Sequence, residues 1–156
     1  MTDWTLKAEL AAYIRENNDS SLRLAESSFE YDRIPGPAEL GALEPGFSET
    51  VIRLVSERFR TQTAFCEQAG LSKQLFQKMK ADPAYIPRKR TALACVIGLE
   101  MAPDEADSLL RRGSYSLSRS SITDVIVSFF LNKRIFDIRL INEALDEYGE
   151  EPLGSI

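Results

Sequence analysis

The chain of 156 residues is long enough to bury the core of one domain with helical extensions, and its 44% apolar and 28% charged residues are typical of globular proteins. No stretch approaches the roughly 18 consecutive apolar residues of a membrane helix, and because the N-terminus also lacks a signal-peptide pattern, we expect a cytoplasmic protein. The chain contains no histidine, which excludes His-based catalysis and most zinc sites, and its net charge of −5 by itself argues weakly against a nucleic-acid partner.

The N-terminal part, residues 1–46, is predicted to be a helical arm followed by a linker. Residues 4–17 follow an amphipathic helical pattern, and residues 21–31 suggest a second short helix. Residues 34–46 contain three prolines and three glycines, which favours a linker before the next unit.

Residues 47–117 are predicted to form a compact bundle of five helices. Ser48 is placed to cap the first helix. Gly70 ends the second helix, because glycine tolerates the left-handed conformation that a helix C-terminus often requires. Ser72 then caps the third helix.

The bundle continues after a loop at residues 82–87. The fourth helix is predicted over residues 88–100, and the fifth begins at Pro103, because proline suits the first turn of a helix. This fifth helix is expected to end near Gly113.

Residues 118–156 are predicted to form a C-terminal helical pair. Ser121 and Asp124 have the spacing of a capping box at the start of the first helix. That helix is apolar on more than one face, so it must be buried or paired with a partner. The second helix of the pair is predicted over residues 137–148.

Two cysteines, Cys66 and Cys95, lie inside apolar helical patterns and lack a CxxC spacing. We expect them to be reduced thiols in the core rather than a disulfide or metal ligands. No metal or cofactor is expected.

The charges are distributed unevenly along the chain. Residues 51–120 hold 12 basic and 7 acidic side chains, whereas residues 1–50 hold 4 basic and 10 acidic, and residues 121–156 hold 3 basic and 7 acidic. This pattern allows a surface for a polyanion to lie within an acidic protein. The alternative is a solvated basic face without a partner.

The most informative stretch comprises residues 61–79. It contains a short helix, a glycine turn, an apolar residue, a serine cap and a second short helix. A tight turn lets two short helices cross steeply, and their contact requires small or apolar groups, here Cys66, Leu71 and Phe76.

Over about residues 47–110 the chain resembles the lambda-repressor-like, or XRE-type, helix-turn-helix family. The residues that carry the resemblance are Thr61, Gln62, Ala69, Gly70, Leu71, Ser72, Phe76, Met79, residues 91–101 and the helix start at Pro103. The resemblance implies an all-α fold, a five-helix lambda-repressor-like bundle with N-terminal and C-terminal helical extensions.

The resemblance also implies a binding site for double-stranded DNA, with residues 72–80 as the recognition helix. Side chains that would face the major groove are Ser72, Lys73, Gln74, Gln77 and Lys78. Gln62 would lie close to a phosphate. The cations that would lie beside the DNA backbone are Arg88, Lys89 and Arg90. Each of these side chains has the alternative interpretation of ordinary solvation.

Three hypotheses for function follow. The first is a bacterial transcriptional regulator, which would be a dimer if it reads paired half-sites. The second is a non-enzymatic protein-interaction module in a bacterial defence or signalling assembly, supported by the apolar first helix of the C-terminal pair and by the acidic flanks, which could cover the basic face. The C-terminal extension is also similar to uncharacterised bacterial modules found behind macro-domain or TIR-type domains. The third is an enzyme using the carboxylates of Glu143, Asp146 and Glu147. Such acids on a last helix are usually only solvated, and we therefore expect no enzyme.

Overall fold

A computed structural model describes residues 3–18 and 43–154, and these residues are all-helical without a strand, as predicted. The described helices are α1 (Asp3–Asn18), α2 (Phe47–Arg58), α3 (Gln62–Ala69), α4 (Lys73–Ala81), α5 (Lys89–Gly98), α6 (Pro103–Arg112), α7 (Ile122–Lys133) and α8 (Ile138–Glu147). None of these helices is both long enough and apolar enough to cross a membrane. The helix predicted at residues 21–31 and most of the predicted linker lie outside the described residues.

The predicted turn between α3 and α4 is confirmed. Gly70 ends α3 in the left-handed conformation, with φ of 70° and ψ of 36°. The backbone N–H of Leu71 donates to the carbonyl of Cys66 over 2.9 Å, which closes the last turn of α3. The Oγ of Ser72 accepts a hydrogen bond from the backbone N–H of Leu75 over 3.2 Å, so Ser72 is the expected cap of α4.

The prediction that Ser48 caps the first helix of the bundle is wrong. Gly46 is the N-cap of α2, and Ser48 lies inside the helix, where it is buried. Its hydroxyl donates over 2.5 Å to the carbonyl of Tyr85, 37 residues away. The Ser48 hydroxyl therefore makes a tertiary hydrogen bond instead of the capping hydrogen bond that the local sequence pattern predicts.

The centre of the core is α5, whose residues from Thr91 to Gly98 are all buried. Helices α3, α6 and α8 pack against it. The approach of α3 is close, because a Cβ on Gly98 would lie 2.6 Å from the Cβ of Ala69. Glycine at this position therefore sets the distance between the two helices.

The apolar helix α7 is covered within the described chain. It packs against α1 on one side and contacts α6 and α8 on the others. The rings of Tyr13 on α1 and Phe129 on α7 lie edge to face, with centroids 5.5 Å apart. Lys133 on α7 pairs with Glu9 on α1 over 2.7 Å.

The C-terminal helical pair shares a continuous apolar core with the helices before it. Helix α8 packs on α5, and α7 packs on α6. Ile138, at the start of α8, lies against Gly70 at the turn between α3 and α4. Changes in the C-terminal helices can therefore reach the α3–α4 turn by direct contact.

Both cysteines are free and buried, as predicted. Burial raises the pKa of the Cys66 thiol, and the positive charge of Lys73 offsets part of this rise. Burial raises the pKa of the Cys95 thiol far above its ordinary value. Cys95 is therefore a neutral thiol near neutral pH.

Candidate nucleic-acid interface

Aromatic packing on the core side holds α3 and α4 together. Phe65 on α3 and Phe76 on α4 are buried, and their ring centroids are 5.8 Å apart. Phe59 packs edge to face on Phe65 at 5.4 Å. With Phe76 and Met79 turned into the core, the helical period directs the other side of α4 to solvent.

This outer face of α4, defined as Lys73, Gln74, Gln77 and Lys78, is exposed. All four were predicted as site residues, and the fold brings them together on one helix. Ser72, the fifth groove-facing residue of the prediction, is partly exposed and caps the helix. The outer face combines two cations with two amides that can both donate and accept hydrogen bonds.

Gln62, at the start of α3, is joined to the outer face. The Nε2 of Gln77 donates to the Oε1 of Gln62 over 3.2 Å. This hydrogen bond restrains Gln77, which otherwise has the rotamer freedom of an exposed amide. It leaves the Gln62 amide nitrogen free to donate to a phosphate or another acceptor.

The loop after α4 supports the far end of the outer face. The ammonium group of Lys78 lies over the ring of Tyr85, 4.7 Å from its centroid. The Tyr85 carbonyl accepts the buried Ser48 hydroxyl, and the hydroxyl of Tyr115 donates to the Pro87 carbonyl over 2.7 Å. The loop is thus tied to the core, and Tyr85 limits the positions available to Lys78.

The basic run, defined as Arg88, Lys89 and Arg90, lies at the start of α5, and its three members differ. Arg88 is exposed and is the N-cap residue, without a side-chain capping hydrogen bond. Among the described residues, Arg88 has no ion-pair partner, so it is the member of the basic run whose guanidinium is not already paired with a carboxylate.

Lys89 is bound to a buried carboxylate. Its ammonium group lies 2.5 Å from the Oδ2 of Asp124 on α7, whose side chain is only 2% exposed. The same oxygen accepts the backbone N–H of Ser118 over 2.8 Å. The predicted capping box is thus half formed: the Asp124 N–H donates to the Ser121 Oγ over 3.3 Å, but the Asp124 carboxylate faces Lys89.

Arg90 is bound to the end of the chain. Its Nη1 lies 3.1 Å from the Oε2 of Glu151. Three residues further on, the backbone N–H of Gly154 donates to the Arg90 carbonyl over 3.3 Å. A Cβ on Gly154 would lie 2.5 Å from the carbonyl oxygen of Gly70, so the C-terminal residues connect the start of α5 to the α3–α4 turn.

Asp124 and Glu151 are site residues that the sequence did not reveal. The only signal was the acidic excess of residues 121–156, which does not specify which acid meets which cation. Both pairs join residues more than 30 positions apart in the chain, namely Lys89 with Asp124 and Arg90 with Glu151. Local patterns carry no information on such contacts.

The carboxylates of the enzyme hypothesis lie elsewhere. Glu143 and Glu147 line a groove between α8 and α1, beside Leu6 and Leu10. Glu147 pairs with Lys7 over 2.9 Å. The described ranges also contain no group of three acidic or cysteine side chains placed to hold a metal ion.

The described residues define an all-helical protein in which a left-handed glycine turn presents a polar, cationic helix face to solvent. No family model matches the chain, and comparison with curated proteins and with solved structures also yields no match. What the protein binds must therefore be inferred from this surface.

Proposed function

We propose that the protein is a DNA-binding helix-turn-helix protein, a bacterial transcriptional regulator in which α4 is the recognition helix. The observation that carries the proposal is the exposed outer face of α4 on a rigid pair of helices. An α-helix fits the major groove, where glutamine amides can pair with adenine and lysines can reach guanine or phosphate.

In this proposal the residues have separate tasks. Gln74 and Gln77 read base edges, with Gln77 held in position by Gln62. Lys73, Lys78 and Arg88 are the cations of the site without an ion pair among the described residues, and they contact phosphates. A two-fold dimer would place two such helices on paired half-sites.

The test is a titration of labelled random duplex DNA at two salt concentrations. For one bound chain with three phosphate contacts, affinity should fall roughly 40-fold between about 50 and 200 mM salt, since each contact contributes a log–log slope of about −0.9. Lys73→Gln and Lys78→Gln should each reduce this slope by about 0.9. Arg53→Gln, an exposed cation on α2, is the matched control and should leave the slope unchanged.

A second function, that of a non-enzymatic protein-interaction module in a defence or signalling assembly, is favoured by one observation. Two of the three cations of the basic run are already neutralised by acids of the same chain. Absence of DNA binding at about 50 mM salt, where phosphate contacts are strong, would exclude the regulator and leave this module as the proposal.

A further inference from the structure

We propose that Glu151 is an intramolecular competitor of DNA for Arg90, so that the C-terminal strap, defined as residues 150–154, lowers the affinity of the α4 site for duplex. This inference rests on the proposed function. It concerns regulation of the same site and assigns an inhibitory task to residues outside the recognition helix.

Several backbone and side-chain hydrogen bonds attach the strap to the structure around the site. The backbone N–H of Leu153 donates to the Oδ1 of Asn142 over 2.8 Å, and the Leu153 side chain is buried. The Gly154 N–H donates to the Arg90 carbonyl. The hydroxyl of Thr123 donates to the carboxylate of Glu150 over 3.0 Å. These contacts hold Glu151 close to Arg90.

The two ion pairs of the basic run differ in how easily an external anion can replace the carboxylate. Asp124 is 2% exposed and accepts from both Lys89 and a backbone N–H, so a phosphate that displaced Asp124 from Lys89 would leave a buried charge without its cation. Arg90 is 38% exposed and Glu151 is 83% exposed. Exposed pairs of this kind are weak, and their partners exchange readily with other ions.

The position of Arg90 makes this exchange relevant to DNA. Gly154 lies between the Arg90 carbonyl and the Gly70 carbonyl, so the first turn of α5 adjoins the turn that precedes α4. A duplex seated on α4 would bring its phosphates near this turn, where Glu151 repels them and also occupies the guanidinium that would bind them. The strap therefore both blocks a phosphate contact and adds a like charge.

Glu151→Gln removes the competing charge while keeping the size of the side chain. The variant should bind random duplex about two- to fivefold more tightly than the parent at about 50 mM salt, which is the range expected for losing an exposed ion pair. Its log–log salt slope should steepen by up to about 0.9, corresponding to one gained phosphate contact.

Two controls make the result specific. Glu143→Gln changes the net charge by the same amount on the α1 side of α8 and should change affinity less than twofold. In the Arg90→Gln background, Glu151→Gln should give no steeper slope, because the cation it would release is absent. Circular dichroism melts should show at most a small decrease in the midpoint for Glu151→Gln, since an exposed ion pair stabilises the fold only weakly.

The outcomes separate the inference from the proposed function. If the parent binds duplex with a steep salt dependence and Glu151→Gln behaves like Glu143→Gln, the competition is overturned while the regulator stands. If the gain persists in the Arg90→Gln background, the effect is a general charge effect and the specific contact is overturned. If neither the parent nor Glu151→Gln binds at low salt, both proposals fail.

Discussion

At the scale of single residues, Lys89 and Arg88 are neighbours in sequence with opposite environments. The ammonium group of Lys89 is paired with the buried carboxylate of Asp124, whereas Arg88 is exposed. Removing one partner of a buried pair leaves an uncompensated charge, but Lys89 is itself 36% exposed, so water offsets part of the loss. Of these two adjacent cations, Lys89 thus contributes to the stability of the fold, and Arg88 is available for binding.

Lys89→Ala is expected to lower the free energy of unfolding by about 1–3 kcal/mol because it leaves the buried Asp124 carboxylate without its cation. Arg88→Ala is expected to change it by less than about 0.5 kcal/mol but to reduce the slope of DNA affinity against salt by about 0.9. Urea unfolding and duplex titration of both variants check the two halves of the prediction. Equal stability of the two variants would contradict the distinction.

Cys95 provides a prediction on pH. Its pKa is raised in the folded state by burial, so the stability it contributes is complete below the pKa of the unfolded thiol, about 8.5, and declines above that value as the unfolded chain ionises. At about pH 9.5 this contribution has fallen by about 1.4 kcal/mol.

Urea unfolding of the parent and of Cys95→Ala between pH 7 and pH 9.5 tests the prediction. The gap in stability between parent and variant should shrink by that amount as the pH rises, because alanine has no proton to lose. Cys66→Ala, measured in the same way, is the companion variant at a thiol whose pKa shift is partly offset by Lys73. A gap that stays constant with pH would contradict the account of Cys95.

At the scale of helices, the contact of α3 with α5 depends on two small residues. A Cβ on Gly98 would lie 2.6 Å from the Ala69 Cβ and 3.1 Å from the Phe65 ring. The Ala69 backbone cannot move far, because Gly70 and the α3–α4 turn follow it. The distance between α3 and α5 at this contact therefore controls the orientation of the α3–α4 pair, which presents the outer face of α4.

Gly98→Ala is expected to destabilise the protein by about 1–3 kcal/mol through overpacking, despite the better helix propensity of alanine. Combining it with Ala69→Gly should restore room, so the double variant should be more stable than the summed single losses imply by about 0.5–3 kcal/mol. Thermal or urea unfolding of the three variants gives this coupling. Simple additivity would show that the close approach does not constrain the helices.

The helices themselves could be predicted because their signals are local. The Gly70 turn, the Ser72 cap and the start of α6 at Pro103 each depend on backbone rules acting over a few residues. The partners of Lys89 and Arg90 could not be predicted, because Asp124 and Glu151 reach them only after the chain has folded. The prediction for Ser48 is wrong for the same reason, because its hydrogen-bond partner is a carbonyl that is distant in the chain.

At the scale of the whole molecule, α7 connects the N-terminal helix to the rest of the protein. Phe129 and Phe130 are buried and contact each other edge to face, with ring centroids 5.3 Å apart. Phe129 also packs on Tyr13 of α1. The apolar pattern of this helix, which the sequence left open between core and interface, is accounted for by packing within the described chain.

Phe130→Asp is therefore expected to unfold or aggregate the protein, because it places a charge without a partner in the core beneath α1 and α8. Ser120→Asp adds the same charge at an exposed position just before α7 and should leave the helical content and the mass in solution as in the parent. Size-exclusion chromatography with light scattering, together with circular dichroism, distinguishes the cases. A folded Phe130→Asp variant of smaller mass than an oligomeric parent would instead assign α7 to an interface between copies. In that event α1 would have to leave α7 in the assembled state, since it covers Phe129 in the single chain.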